Sequence, residues 1–268
     1  MAPPAGKIRL DQWLVDQGLV ETRTKAQAVI RAGEVVVGEQ RIDKPGTLIP
    51  PGSQVRITSL HQDVSRGAAK LRGALDCFDF SIEGKLAADL GASTGGFTQV
   101  LLERGAKRVE TFDVGYGLLH ERLRQDPRVV IHDRVNVRHL TGSEMEPAEI
   151  VVMDLSFIGL DLVLPAAFRI SAPSAEFVAL VKPQFEAGRG SVSKGGIVRD
   201  EKVLQRVLET HVESLATHGF AAWRIVPSEV KGRKGNQEFF SWFRKAEHFV
   251  QPDSNWPVFP ERAMPAGS

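Results

Sequence analysis

Apolar and polar positions follow two regimes along this chain. In the first, Leu10, Trp13 and Leu14 share one face of a helix that Gly18 stops, and Thr22 opens a second helix, TRTKAQAVIRAG, closed by Gly33. Short alternating runs follow: EVVVGEQRI with a turn at Gly38, then SQVRITS after the turn residues Pro50, Pro51 and Gly52. Past the polar, aperiodic SLHQDV the period lengthens. SRGAAKLRGALDCFDF puts Leu71, Leu75 and Phe78 on one helical face. Strands are then predicted near 86–90, 108–113, 128–131, 149–154, 176–181, 222–227 and 237–243, with helices at 95–104, 118–124, 158–170 and 200–218. Alternation of this kind predicts an α/β fold, a largely parallel seven-stranded sheet covered on both faces. The loop PSEVKGRKGNQ before the last strand is too short for a crossover helix, so that strand is predicted antiparallel. The boundaries expected are a small α+β domain over 1–60, a linker at 61–65, the α/β domain over 66–246 and a loosely packed tail over 247–268.

Composition narrows the classes. With 268 residues, 42% of them apolar, the chain can bury one good-sized core and a small second one. Thirty-four basic residues against 33 acidic leave a net charge of +1, so a surface for nucleic acid has to be a local patch. The single Cys77 excludes an internal disulfide and a cysteine-rich zinc site; its apolar helical context predicts a buried structural thiol. No metal is expected. MAPPAGKIRLDQ lacks the apolar core of a secretory signal, and EIVVMDLSFIGLDLVLP is too short and too charged to span a bilayer. A soluble cytoplasmic protein, without a membrane partner, is the expectation.

The strongest candidate chemistry lies at LAADLGASTGGFT (86–98): an apolar run with Asp89, a loop with Gly91, Gly95 and Gly96, then a helix from Phe97. Glycines let backbone approach a ligand, and a helix start offers unpaired N–H groups, although an ordinary α/β corner has the same outline. About twenty residues on, the run RVETFDVG ends in Asp113, placed to accept hydrogen bonds from ribose hydroxyls. DLGASTGGF followed by FDVG resembles the S-adenosylmethionine (SAM) site of class I methyltransferases, specifically the FtsJ-like ribose methyltransferases. The resemblance implies SAM as cofactor, a Rossmann-like sheet, and a cradle of Gly91, Ala92, Ser93, Gly95, Gly96, Phe97, Asp113, Val114 and Asp154. Asn136 would take the adenine edge, with Asp133 as the alternative.

The string from Arg9 to Ile57 resembles the S4 RNA-binding domain. That resemblance implies that Arg9, Arg23, Lys25 and Arg31 meet RNA phosphates, giving salt-sensitive, sequence-blind affinity. Charge alone leaves a solvated face equally open, since residues 1–62 hold 8 Lys/Arg against 6 Asp/Glu. Arg66, Lys70 and Arg72 near a helix start suggest an anionic neighbour, and a plain surface helix would account for them nearly as well. Two basic loops are further RNA candidates: FEAGRGSVSKGGIVRD, with Arg189 and Lys194, and EVKGRKGN, with Lys231 and Arg233. Either could equally be a plain solvated loop.

Ligands of open α/β sheets bind beyond the carboxyl ends of the strands. Asp154 and Lys182 end two predicted strands there, and Glu238 begins the antiparallel one at the same edge. Lysines held by carboxylates can orient a poor nucleophile such as a ribose hydroxyl, stabilise its alkoxide or take its proton. Each residue alone would also suit a strand-end salt bridge. Lys70, Asp154, Lys182 and Glu238 match in order the K-D-K-E tetrad of FtsJ-like 2′-O-methyltransferases, with Asp154 and Glu238 both expected to hold Lys182. DLSF at 154–157 lacks the Pro-Pro-aromatic motif of amine methylators. With GASTGGFT, DVGYG, DLSFI and VKPQFE in order behind an S4 module, the chain resembles the TlyA/hemolysin-A family nearly end to end. That implies 2′-O-methylation of cytidine in ribosomal RNA, with ribosomal subunits as partners. An RNA-binding assembly factor without turnover, or a SAM enzyme with another acceptor, stays open.

Overall fold

The computed structural model describes residues 6–20, 22–57, 63–156, 158–187 and 196–248. The chain divides into two compact units, residues 1–62 and 63–268. Arg189, Lys194 and nearly all of the tail fall outside the described residues, as does the side chain of Arg233.

In the first unit β1 (Ile8–Arg9) leads into α1 (Leu10–Asp16), and Thr22 caps α2 (Arg23–Arg31) by accepting from Lys25 N at 3.2 Å. The strands β2 (Val35–Val37), β3 (Gln40–Ile42), β4 (Leu48–Ile49) and β5 (Val55–Ile57) complete it. β2 is the centre of a three-stranded antiparallel sheet, and β4 pairs β1. Leu10 and Leu14 of α1 and Ala26 and Ile30 of α2 close over Val35, Ile49 and Ile57, one small core as the apolar spacing requires.

The second unit begins with α3 (Arg66–Asp76), capped by Ser65. Alternating elements follow: β6 (Leu86–Leu90), α4 (Gly96–Glu103), β7 (Arg108–Asp113), α5 (Glu121–Arg124), β8 (Val129–Asp133), β9 (Ala148–Met153), α6 (Leu164–Ile170), β10 (Ser171–Val181), α7 (Pro183–Glu186), α8 (Glu201–Thr217), β11 (Phe220–Pro227) and β12 (Phe239–Lys245). They build a seven-stranded sheet in the order β11-β12-β10-β9-β6-β7-β8. β12 runs antiparallel to both β10 and β11, while the pairs from β10 to β8 are parallel. All five residues of β6 are buried, the mark of a strand covered on both faces. One core layer gathers Phe112, Phe177 and Phe243, the other Leu71, Phe97 and Trp242. The order therefore brings the carboxyl ends of β6, β7, β9 and β10 to one rim.

Three expectations need correcting. The apolar period over 158–170 is a 3-10 turn at Leu160–Leu162 followed by α6, because Pro165 sits in the first turn of that helix, where it lacks an N–H to lose. The helix expected over 118–124 is the single turn α5, which starts where His120 accepts from Arg122 N. Cys77 is exposed, not buried: it is the C-cap of α3, one residue past the helix and off the stripe of Leu71 and Leu75, and its thiol donates to Gly73 O at 3.5 Å.

Candidate active site

Two adjoining cavities open at this rim, of about 450 and 390 Å³. Gly91, Ser93, Asp154 and Ser156 line both.

The first cavity holds the charged groups. Lys182, buried at the end of β10, pairs with Asp154 Oδ1 at 2.5 Å and donates to Ser156 Oγ at 2.9 Å. Glu238, buried at the start of β12, takes Lys70 Nζ at 2.5 Å and Gln184 Nε2 at 2.9 Å. The four residues expected to act together thus line one cavity, but as two separate ion pairs. The expectation that Glu238 also holds Lys182 is not met. Lys70, reaching from α3, takes that carboxylate, while Asp154 and Ser156 hold Lys182 from the β9 side. Gly232 allows this arrangement, since a Cβ there would collide with the Glu238 carboxylate.

Sequence reasoning missed Ser156, Gln184 and Phe185. Ser156 had a signal: it stands two residues after Asp154 around buried Leu155, and the two line the same cavities. Gln184 and the half-exposed Phe185 sit on α7, one turn of helix that Pro183 starts directly after Lys182.

The second cavity is mostly apolar, with Phe112, Leu118, Val137 and Ile158 in its wall. Its polar groups include Asp113 and Asn136, and none of its lining residues is Lys or Arg. Asp113 ends β7 and is fixed by two backbone donors, Ser93 N at 2.8 Å and Gly115 N at 2.7 Å. A carboxylate offers about four acceptor positions, which leaves Asp113 capacity for a ligand. Asn136 lines this cavity and accepts from Arg138 N at 3.1 Å. Asp133, the alternative for that position, accepts from Gly117 N at 3.0 Å and is not in the lining. Val114 is 70% exposed at the cavity edge.

The glycines of the loop are also required by packing within the fold. Gly91, at φ +89°, would place a Cβ 2.7 Å from Asp154 O, so it lets two strand ends meet. A Cβ on Gly95 would collide with Leu119 and Leu123, and one on Gly96 with Ser65 and Ala68 N of α3. Gly91, Ala92, Ser93, Gly96 and Phe97 line the first cavity; Gly95 lines neither, because it is committed to packing. Beneath the loop, Asp89 is wholly buried and accepts from Thr98 Oγ1 at 2.6 Å. Burial pushes its carboxyl up to about 7, against the Thr98 hydrogen bond and with the charges of Asp154 and Asp113 adding to the rise.

The basic candidates are dispersed. Arg66 and Lys70 line the first cavity, whereas Arg72 is spent on Asp63 and Glu103 at 2.8 and 2.9 Å. The anionic neighbours of the α3 start are thus carboxylates of the same chain. In the first unit Arg9 and Arg23 share Asp11, Arg31 reaches Gln27 at 3.4 Å, and Lys25 is exposed. Lys231 is exposed in the loop before β12.

Residues 64–245 match the FtsJ-like methyltransferase family, and residues 8–55 match the S4 domain. YqxC of Bacillus subtilis strain 168, provisionally named an rRNA methyltransferase, is 44% identical over 87% of this chain and 84% of its own. The 16S/23S rRNA (cytidine-2′-O)-methyltransferase TlyA of Mycobacterium tuberculosis is 41% identical over 90% of this chain and 91% of its own. A solved structure from Streptococcus thermophilus, provisionally named a hemolysin, is 39% identical and superposes with a TM-score of 0.68 over 91% of this chain and 90% of that one. Among the described residues, no helix is long and apolar enough to cross a membrane. The chain belongs to the FtsJ-like methyltransferase family, within the TlyA group that joins this domain to an S4 domain.

Proposed function

We propose that the protein transfers a methyl group from SAM to the 2′-hydroxyl of a cytidine in ribosomal RNA, in the cytoplasm, with ribosomal subunits as its substrate. The observation that carries this reading is the pair of lysine–carboxylate bridges, Lys70–Glu238 and Lys182–Asp154, lining one cavity beside a largely apolar one that ends in Asp113. The acceptor is named by analogy with the 41% identical TlyA.

The residues present fit SAM. An apolar cavity with an acid and no basic lining residue suits a nucleoside without phosphates, and the Asp154 carboxylate between the two cavities suits a sulfonium cation. Asp113 would hold the ribose, Asn136 and Val114 the adenine, and Gly91, Ser93 and Phe97 the methionine end. When bound, SAM supplies an electrophilic methyl group. Lys182 donates to Ser156 Oγ and pairs by charge with Asp154, which leaves N–H capacity on its ammonium for a bond to the acceptor oxygen. That bond orients the hydroxyl and stabilises the negative charge that grows on it. Lys70, held by Glu238, adds a second cation on the same wall. In-line alignment of the oxygen with the methyl group accounts for much of the rest of the rate. Arg9, Arg23, Lys25 and Arg31 of the S4 domain, with Arg66, Lys231, Arg233, Arg189 and Lys194 of the second domain, supply phosphate contacts.

The test is transfer of isotopically labelled methyl from SAM to purified ribosomal subunits, followed by mapping of ribose methylation. Label on a cytidine 2′-oxygen is expected. Label on a base or on protein, or none with either subunit, would overturn the reading.

A further inference from the structure

We propose that Asp11 is a positioning residue for RNA, holding the guanidinium groups of Arg9 and Arg23 as one fixed fork on the S4 domain; this deepens, and rests on, the reading that the S4 domain binds ribosomal RNA.

The Asp11 side chain is wholly buried at the start of α1, beneath two exposed arginines. Arg9 grips both of its oxygens, Nε to Oδ1 at 3.0 Å and Nη2 to Oδ2 at 2.8 Å. Arg23, from the first turn of α2, donates Nε to Oδ2 at 3.1 Å, and Gln27, one turn on, donates Nε2 to the same oxygen at 3.1 Å. Gln12 N donates to Oδ1 at 3.0 Å. One carboxylate thus ties together β1, α1 and α2. The Lys44–Thr47 turn is tied to the same point, through Leu10 N to Thr47 O at 2.8 Å and Asp11 N to Pro45 O at 3.2 Å. A Cβ on Gly46 would stand 3.2 Å from Arg9 Nη1, so the glycine makes room for the guanidinium against this turn.

The stoichiometry points beyond a structural salt bridge. Two guanidinium groups against one carboxylate leave one positive charge at this surface. The arginine side chains stay 44% and 52% exposed, and Asp11 occupies only two N–H groups of Arg9 and one of Arg23. Arginine carries five donors in a planar fork that matches phosphate oxygens. Fixing two such forks in advance removes rotamer entropy that RNA binding would otherwise cost. The carboxylate works against RNA by its charge and for it by its geometry, and these two effects have opposite signs in an experiment.

The experiment measures retention of a labelled ribosomal-RNA transcript by the full chain over a series of KCl concentrations. Charge alone makes Asp11→Asn bind tighter, because a negative charge leaves the RNA surface. Positioning makes it bind weaker by about tenfold, with a shallower salt dependence. SAM affinity of the same preparation stays unchanged. Equal or tighter RNA binding by folded Asp11→Asn overturns the proposal. Should that variant lose the cooperative melting of the S4 domain, the double variant Arg9→Lys with Arg23→Lys decides, since it keeps both charges and removes the forks. It should lose nearly as much affinity as the corresponding double alanine variant, and wild-type affinity overturns the proposal. Wild-type protein that retains no RNA at low salt removes the RNA-binding reading itself, which distinguishes that failure from loss of the Asp11 effect alone.

Discussion

The ammonium of Lys182 lies 2.5 Å from Asp154 Oδ1, and its side-chain hydrogen bond goes to Ser156 rather than to Glu238. The two carboxylates at this rim are therefore not interchangeable. Asp154 orients the lysine assigned to the acceptor oxygen, and Glu238 orients Lys70.

Kinetic coupling should follow this pairing. Lys182→Ala is expected to cut turnover by about a hundredfold or more while leaving SAM affinity nearly intact. Adding Asp154→Ala to it should cost little further turnover at saturating SAM, because a pair acting as a unit is not additive. Glu238→Ala combined with Lys182→Ala should lose more than either alone. Single-turnover rates on ribosomal subunits measure both. Losses that add for Lys182 with Asp154 would reject the pairing as the working unit. Lys182→Arg keeps the charge without the compact ammonium and should not restore the rate; near wild-type turnover in that variant would reduce the lysine to an electrostatic anchor.

The nucleoside end is tested separately. Asp113→Ala removes an acceptor that two backbone N–H groups already fix, and should weaken SAM binding by about 1.5–3 kcal/mol. Calorimetry on the folded variant reads this directly, and unchanged affinity would take Asp113 out of the cofactor site.

What the sequence made legible, and what it hid, divides by range. The strands β6 and β7 end at Leu90 and Asp113 as predicted, because glycines at Gly91 and Gly115 punctuate the chain just beyond each of them. β10 runs to Val181 as expected but starts at Ser171, five residues early, across Pro173 and a register shift that its own composition argues against. Three of the four charged residues of the rim, Asp154, Lys182 and Glu238, were visible at strand ends, and Lys70 as the fourth member of the tetrad on the helix before the first strand. Their partners were not, since the reach of Lys70 from α3 to Glu238 depends on packing 168 residues apart in sequence. The glycine loop hid its roles in the same way: Gly95 and Gly96 answer to Leu119, Leu123, Ser65 and Ala68, none of them in the motif.

That packing role gives a stability prediction. A Cβ on Gly96 would fall 2.8 Å from the backbone N of Ala68, in the helix that carries Lys70. Gly96→Ala should destabilise the second domain by about 1–3 kcal/mol through overpacking. The displaced α3 should also lower turnover more than SAM affinity, because Lys70 moves with it. A melting temperature and turnover equal to wild type would show that the contact relaxes freely.

Two buried groups set opposite limits on stability against pH. Asp89 in the folded protein titrates near 7, above its ordinary carboxylate value, so the unfolded chain releases its proton first as pH rises. Its contribution to stability is therefore full below about pH 4 and is lost as pH climbs towards 7. His211 is the reverse. Burial lowers its imidazole to about 4, so the unfolded chain takes up a proton first as pH falls below about 6.5, and stability is lost down to about 4. Asp89→Asn should accordingly raise the melting temperature more at pH 8 than at pH 5, with Thr98 still hydrogen-bonded to the amide oxygen. His211→Phe should flatten the acid side alone, provided the ring fits beside Phe243, whose centroid lies 6.3 Å from the imidazole. Thermal melts of the two variants from pH 4 to 8 read the two arms independently. An Asp89→Asn curve parallel to wild type over that range would mean that the Asp89 carboxyl titrates at its ordinary value and that its burial sets no limit on stability.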